Sequence, residues 1–183
     1  VHGGAVSTSY LNIASGFVLA PKYLSVGDGA GGTAWGILNL TGGALETSGS
    51  VWIGNASSAR GEANVRGGVW TNRVDLEVAH GGGANAWLNM EGGEIVMPVS
   101  GRNFIVANGG NGHMTTGTVS ITGGQLTATN GVTVLVANAT NGLGRFFLGG
   151  DGAVLARDFK VSSAKWSRGE CVAMIFVISS SWP

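Results

Sequence analysis

The sequence has little cysteine, proline or charge. Its 183 residues include one cysteine and three prolines, and charged residues make up 11% of the chain. A single cysteine, Cys171, excludes a disulfide within the chain and a metal site built from several thiolates. Ten basic residues balance ten acidic ones, so the formal net charge is zero. Because a charge excess is what usually draws proteins to nucleic acid or to an anionic membrane surface, we expect neither as a partner.

Long hydrophobic runs are also missing. The longest apolar run, residues 171–178, is about eight residues long, whereas a helix that crosses a bilayer needs about 20. We therefore expect no membrane-spanning helix. The chain starts at Val1 rather than Met, which fits a mature product after removal of a signal peptide and fits an incomplete gene equally well.

Glycine, by contrast, is abundant. It accounts for 34 of 183 residues, whereas about 7% is usual. Three prolines are too few for collagen, and a chain that is 44% hydrophobic with no net charge is unlike a disordered one. The length fits one domain with a sizeable core.

The glycines mark an internal repeat. Alternating apolar and polar residues run into a glycine pair at residues 38–43, 64–68, 88–93, 119–124 and 146–150, with an incomplete copy at 11–16. The copies recur every 25 to 31 residues. A second motif keeps step with the first, and its copies end in a polar residue that we call the turn column: Asp28, Asn55, His80, Asn108 and Asn138. Two motifs with one period indicate a repeat protein.

The period of about 26 residues predicts an all-β fold, a parallel β-solenoid (right-handed β-helix) of about five to six coils. No stretch has helical periodicity, and a propeller blade needs about 40 residues. Coils stacked about 4.8 Å apart would form a rod roughly 30 Å long. We expect an N-terminal extension at 1–10, the solenoid at 11–160 and a hydrophobic strand within 161–183. The residues expected to point inward are Leu38, Leu40, Val51, Ile53, Leu88, Met90, Val119 and Ile121.

Each coil must turn several corners in few residues, which explains the glycine content. In the turn column, Asn and Asp are expected to adopt the left-handed conformation and to hydrogen-bond along the stack.

Two motifs carry a resemblance to known repeats. Leu38-Asn39-Leu40-x-Gly-Gly, followed by Val-x-Ile-Gly-Asn at 51–55, resembles the glycine-rich β-strand repeats of bacterial autotransporter passenger domains and of large exported proteins with PEP-CTERM sorting signals. The resemblance covers roughly residues 11–150. It implies an exported β-solenoid with a structural role outside the cell or on the bacterial cell surface, and it carries no catalytic residues to transfer.

Candidate catalytic and ligand residues are few. Glu94, Gln125 and Asp151 are expected to share one outward column, with the two carboxylates two coils, or about 10 Å, apart. Since glycoside hydrolysis needs carboxylates about 5 to 9.5 Å apart, we interpret them as a polar surface column. We expect no enzyme activity and no cofactor.

Other ligand motifs also lack support. Gly27, Gly29 and Gly32 match a dinucleotide fingerprint, but no helix follows them. The histidines His2, His80 and His113 lack the spacing of metal ligands, and the few aspartates do not recur in every turn as calcium repeats require.

Tryptophan is the most informative surface residue. Trp52 alternates with Val51 and Ile53, so its side chain is expected to point out of the core. We take Trp52, Trp35 and Trp87 as candidate surface contacts. An exposed indole can stack on a sugar ring or pack against another subunit, so a glycan and a second copy of the chain are both open as partners.

The C-terminal apolar segment is a candidate inter-subunit strand, with side chains Val172, Met174, Ile175, Phe176, Val177 and Ile178. Such a strand must either cap its own last coil or add to an open edge of a neighbour. In the second case, head-to-tail addition would form a filament.

These features favour a structural subunit of an extracellular or cell-surface assembly. The alternative is a carbohydrate-binding or adhesive module, and a polysaccharide-degrading β-helix enzyme is a remote third.

We predict that Ile53→Asp or Leu88→Asp unfolds the chain, because either substitution puts an unpaired charge into a stacked apolar column. Far-UV circular dichroism should show a β-rich wild-type spectrum that is lost in both variants. A helical wild-type spectrum, or a variant that stays folded, would contradict the solenoid.

Overall fold

A computed structural model describes residues 7–29, 34–109 and 113–161, and the backbone of 172–178. The strands of the described part belong to one fifteen-stranded sheet in which every paired strand is parallel. The sheet winds into stacked coils with a repeat of about 27 residues and about five turns. The predicted β-solenoid is therefore confirmed.

The coils have three faces. Face 1 carries β1 (Ser7–Ile13), β4 (Ala34–Leu40), β7 (Arg60–Val65), β13 (Gly142–Gly149) and β15 (Val172–Ile178). Face 2 carries β2 (Phe17–Ala20), β5 (Ala44–Thr47) and β8 (Val69–Asn72), and face 3 carries β3 (Tyr23–Asp28), β6 (Ser50–Asn55), β9 (Leu76–His80) and β11 (Asn103–Asn108). Longer strands bend across faces: β10 (Asn85–Val96) lies on faces 1 and 2, β12 (Thr115–Val136) on all three, and β14 (Ala153–Val161) on faces 2 and 3.

Each strand pairs with its counterpart in the next coil, so side chains stack in columns. Leu11, Leu38, Ala63, Leu88, Val119 and Phe146 form one such column on face 1. All eight side chains that the sequence placed inside are fully buried. Alternation along each strand therefore predicted the core correctly.

One core layer carries a tryptophan. Trp70 is fully buried on face 2, and its Nε1 donates to Thr47 Oγ1 at 3.1 Å. Thr47 in turn donates to Asn72 Oδ1 at 2.7 Å, so the buried polar groups satisfy one another. The same coil has Ala63 where the adjacent coils have leucine, which offsets the volume of the indole.

The ends of the solenoid differ from the predicted boundaries. Ser7 to Tyr10 pair with Ala34 to Ile37, so the expected extension at 1–10 is wrong for residues 7–10, because their backbone already belongs to β1 and pairs in register with β4. At the other end, β15 pairs with β13 of the same chain. The backbone of the predicted inter-subunit strand thus continues its own solenoid, while its six named side chains lie outside the described residues.

The corners depend on glycine for two separate reasons. The second glycine of each pair has a positive φ, from 58° at Gly150 to 75° at Gly124. The first glycine has no room for a side chain, since a Cβ at Gly67 would lie 2.5 Å from the carbonyl oxygen of Thr41.

The prediction for the turn column was wrong in one respect. The left-handed residue is the one before each polar residue, namely Gly27, Gly54, Ala79, Ala107 and Ala137. This residue is buried at the bend, which leaves the following polar side chain free to reach along the stack.

The corner beside the turn column is narrow. Gly36, Gly61, Ala86, Gly117 and Gly144 form a register column that packs on the backbone of the left-handed column. A Cβ at Gly61 would lie 2.1 Å from the Gly54 nitrogen and 2.4 Å from the Val26 oxygen. Small residues here let faces 1 and 3 approach each other.

We predict that Gly61→Ala destabilises the chain by several kcal/mol, on the order of 3 or more, because the clashing atoms are backbone. Gly16→Ala is the matched control, since Gly16 has φ 79° but no atom within 4 Å of its Cβ position. It should cost about 1 kcal/mol from backbone strain alone. Urea unfolding of both variants measures the difference, and equal losses would refute the steric explanation.

Candidate functional site

An asparagine ladder runs along the outside of face 1. Asn39 Nδ2 donates to Asn12 Oδ1 at 2.7 Å, Asn64 Nδ2 to Asn39 Oδ1 at 3.0 Å, and Asn89 Nδ2 to Asn64 Oδ1 at 2.9 Å. Asn39 and Asn64 each donate to the coil below and accept from the coil above. This ladder was not predicted, although an asparagine between two apolar residues recurs in the sequence at 12, 39, 64 and 89.

The turn column forms a second ladder on face 3. Asp28, Asn55, His80 and Asn108 lie in register. Asn55 Nδ2 donates to Asp28 Oδ2 at 3.2 Å, and Asn138 Nδ2 donates to Asn108 Oδ1 at 3.1 Å. Between these pairs, His80 and Asn108 both turn toward Glu77 instead of toward each other.

Glu77 is the buried carboxylate of this cluster, with 11% of its side chain exposed. Its Oε2 lies 2.7 Å from His80 Nδ1 and accepts from Asn108 Nδ2. Burial by itself would raise the pKa of Glu77, but hydrogen bonds from His80, Asn108 and Trp52 hold that pKa below its usual value. The carboxylate therefore stays ionised and ties three coils together.

Trp52 points out of the core, as its alternation predicted, but its ring is already occupied. The indole stacks on His80 with ring centroids 5.2 Å apart and is tilted against Tyr23 at 6.2 Å. Its partners are thus side chains of the coils on either side. Trp52 therefore packs against side chains of its own chain and leaves little of its ring surface for a partner.

Trp35 and Trp87 lie elsewhere, on face 1. Both are half-buried and line a shallow surface groove of about 380 Å³ together with Arg60, Glu62 and Asn89. Arg60 pairs in register with Trp35, and Glu62 pairs with Trp87. Residues from three successive coils therefore build the groove, and Arg60, Glu62 and Asn89 were not identified from the sequence.

The groove carries polar groups of both signs. The guanidinium of Arg60 lies 5.9 Å from the ring centroid of Trp35, a cation–π distance. Glu62 Oε1 accepts from Asn64 Nδ2 at 2.9 Å. Trp35 Nε1 is buried and has no hydrogen-bond partner. Donors, acceptors and indole rings thus converge on one surface.

The predicted carboxylate column was wrong. Glu94 pairs with Gln125, but Gln125 pairs with Ala153 and not with Asp151. The last corner, between Leu148 and Ala153, contains one residue more than the corner between Ile121 and Gln125, and its glycine pair comes one position earlier. Asp151 therefore lies in the turn, where its backbone N–H donates to the carbonyl oxygen of Thr122. Glu94 accepts instead from Thr127 Oγ1 at 3.0 Å.

The other sequence motifs fall only partly within the described residues. Gly27 belongs to the left-handed column, while Gly32 and His2 lie outside the described residues. Within the described ranges, no three His, Cys, Asp or Glu side chains are grouped so as to hold a metal ion. The described residues include no helix that could cross a membrane.

Comparisons with family models, with curated proteins and with solved structures found no match to this chain.

We predict that Glu77→Gln lowers the free energy of unfolding by about 1 to 3 kcal/mol at neutral pH, because an amide cannot accept all three hydrogen bonds. The folded-state pKa of Glu77 is lowered, so its contribution is complete above the unfolded value of 4.5 and is lost as pH falls through the folded pKa. The difference in the free energy of unfolding between wild type and Glu77→Gln should therefore decrease below pH 4.5.

Urea unfolding at neutral and acidic pH measures this difference. Glu46→Gln is the control, since Glu46 pairs with Arg73 at 2.7 Å on the surface and should contribute roughly 0.5 kcal/mol. If Glu77→Gln costs no more than Glu46→Gln, Glu77 does not tie the coils together.

Proposed function

We propose that this chain is a non-enzymatic structural rod of an extracellular or cell-surface assembly, and that rods join end to end. The main support for this proposal is the exposure of apolar side chains at both ends of the described solenoid. Apolar side chains that point inward are fully buried in the middle of the solenoid. In its first and last described coils, some side chains of the same columns are exposed to solvent.

The opening at the first coil is local. Leu11 is 38% exposed, whereas Leu38 directly above it is fully buried. A cavity of about 310 Å³ lies between β1 and β3, lined by Leu11, Leu24 and Val26 among others. Ile13 is already covered, so the opening is confined to one side of the coil.

The last described coil is open in the same way. Phe159 and Val161 are 40% and 43% exposed, although they continue the buried columns of Val134 and Val136. In the described part of the chain, β1, β2 and β3 each pair along one edge only. Unpaired strand edges beside exposed apolar side chains favour addition of another coil.

Joining one end to the other is a heterologous contact. Such a contact repeats without closing when the rotation does not return to the start, and the product is then a filament. A filament of stacked coils fits an external scaffold, which is the role that the resemblance to exported repeat proteins implies.

The chemistry of the surface supports a structural role rather than catalysis. Among the described residues, the most buried carboxylate, Glu77, is held by three hydrogen bonds, and Glu94 is held by Thr127. Groups that are already engaged in holding coils together are poorly placed to transfer protons to a substrate.

We predict that Leu11→Lys leaves the 183-residue chain monomeric under conditions where the wild type assembles, because the ammonium group would sit at the open end of an apolar column. Leu19→Lys is the matched control. Leu19 is in the same first coil, but it lies on the outer surface in register with Glu46, so this variant should assemble like wild type.

Sedimentation velocity over a concentration series, with negative-stain microscopy, measures assembly, and circular dichroism checks that both variants fold. A wild-type chain that remains monomeric at high concentration would refute end-to-end joining. Equal assembly of Leu11→Lys and wild type would show that the contact lies elsewhere on the rod.

A further inference from the structure

The groove on face 1 has features that the stacking of coils does not require. It is lined by Trp35, Arg60, Glu62, Trp87 and Asn89, and we call it the face 1 groove. We propose that the face 1 groove binds a short neutral oligosaccharide. This binding would be independent of how rods join at their ends.

The indole of Trp87 provides the apolar platform. Among the described residues it has no stacked ring, unlike Trp52, which lies between Tyr23 and His80. Trp87 is half-buried, so packing against its neighbours restricts the motion of its side chain. The C–H face of a pyranose ring stacks on such a surface, because an indole is large, flat and rigid.

The polar groups of the groove have unused hydrogen-bonding capacity. No carboxylate of the described residues lies within 4.0 Å of the Arg60 guanidinium, and the ladder ends with Asn89 Oδ1 accepting no described hydrogen bond. Sugar hydroxyls both donate and accept, so they can satisfy donors and acceptors that stand side by side.

The charges of the groove favour a neutral ligand. Arg60 and Glu62 are two residues apart on β7, and their side chains lie on the same face of the strand. The positive and negative groups cancel at the distance of a ligand. A uronate would gain from Arg60 but would be repelled by Glu62, whereas a neutral sugar can hydrogen-bond to both.

The dimensions fit a ligand of two or three sugar units. Trp35 and Trp87 are two coils apart, or about 10 Å along the rod. The groove volume of about 380 Å³ is at the small end of the usual range for ligand sites, roughly 300 to 1,000 Å³. A di- or trisaccharide lying along the rod would contact both tryptophans.

The test uses the full 183-residue chain and four named probes. Cellotriose, maltotriose and triacetylchitotriose represent neutral glycans, and trigalacturonate is the charged counterpart. Binding is measured by isothermal titration calorimetry and by the change in tryptophan fluorescence. We expect at least one neutral trisaccharide to bind with a Kd between about 10 µM and 1 mM, and more tightly than trigalacturonate.

Variants assign the binding to the groove. Trp87→Ala should weaken binding by tenfold or more, Trp87→Phe should recover part of it, and Arg60→Ala should weaken it without touching the platform. Tyr23→Ala is the control, because Tyr23 is an exposed aromatic residue on face 3 and its loss should leave binding unchanged. Circular dichroism checks that each variant folds. If Trp87→Ala does not fold, Arg60→Ala tests whether the groove binds the glycan, because the side chain of Arg60 is exposed and its loss should leave the fold intact.

Three results would overturn the proposal. The first is that none of the neutral trisaccharides binds the wild type. The second is tighter binding of trigalacturonate, which would contradict the charge argument. The third is that Trp87→Ala abolishes self-association while leaving glycan binding intact, which would make the groove a contact between copies of the chain.

Discussion

The whole structure depends on parallel pairing between coils, in which each residue meets its counterpart about 27 residues away. No strand of the described coils is hydrogen-bonded to the next strand in the same coil. Each side chain must therefore be compatible with its own neighbours about 4.8 Å above and below. The columns satisfy this requirement with aliphatic side chains inside, small residues at the narrow corner and amides along the outside.

The same requirement explains why the chain has so little charge. Identical charges stacked at this spacing repel one another, whereas stacked amides donate and accept in turn. Two ion pairs join adjacent coils: Arg66 contacts Glu91 at 3.0 Å and Arg73 contacts Glu46 at 2.7 Å. A balanced and sparse charge is thus a consequence of the fold.

The candidate sites are places where a column departs from its repeat. On face 1, indole, guanidinium and carboxylate groups replace small polar residues, and their hydrogen-bonding capacity is only partly used within the rod. At the two ends, columns such as Leu11 with Leu38 and Val134 with Phe159 pass from fully buried to partly exposed. Residues that depart from the repeat are candidates for function, because the repeated residues are sufficient to form the solenoid.

The sequence by itself determined the solenoid and its core, because a period of about 26 and strict alternation fix which strands stack and which side chains, such as Ile53 and Leu88, face inward. Only the tertiary structure decided details of register at the corners. One extra residue and an earlier glycine pair at the last corner moved Asp151 out of the Glu94 column, and the left-handed position fell one residue earlier, at Ala79 instead of His80. The meeting of Arg60, Glu62 and Trp87 was also hidden, since neighbours across coils depend on corner lengths that a local pattern does not encode.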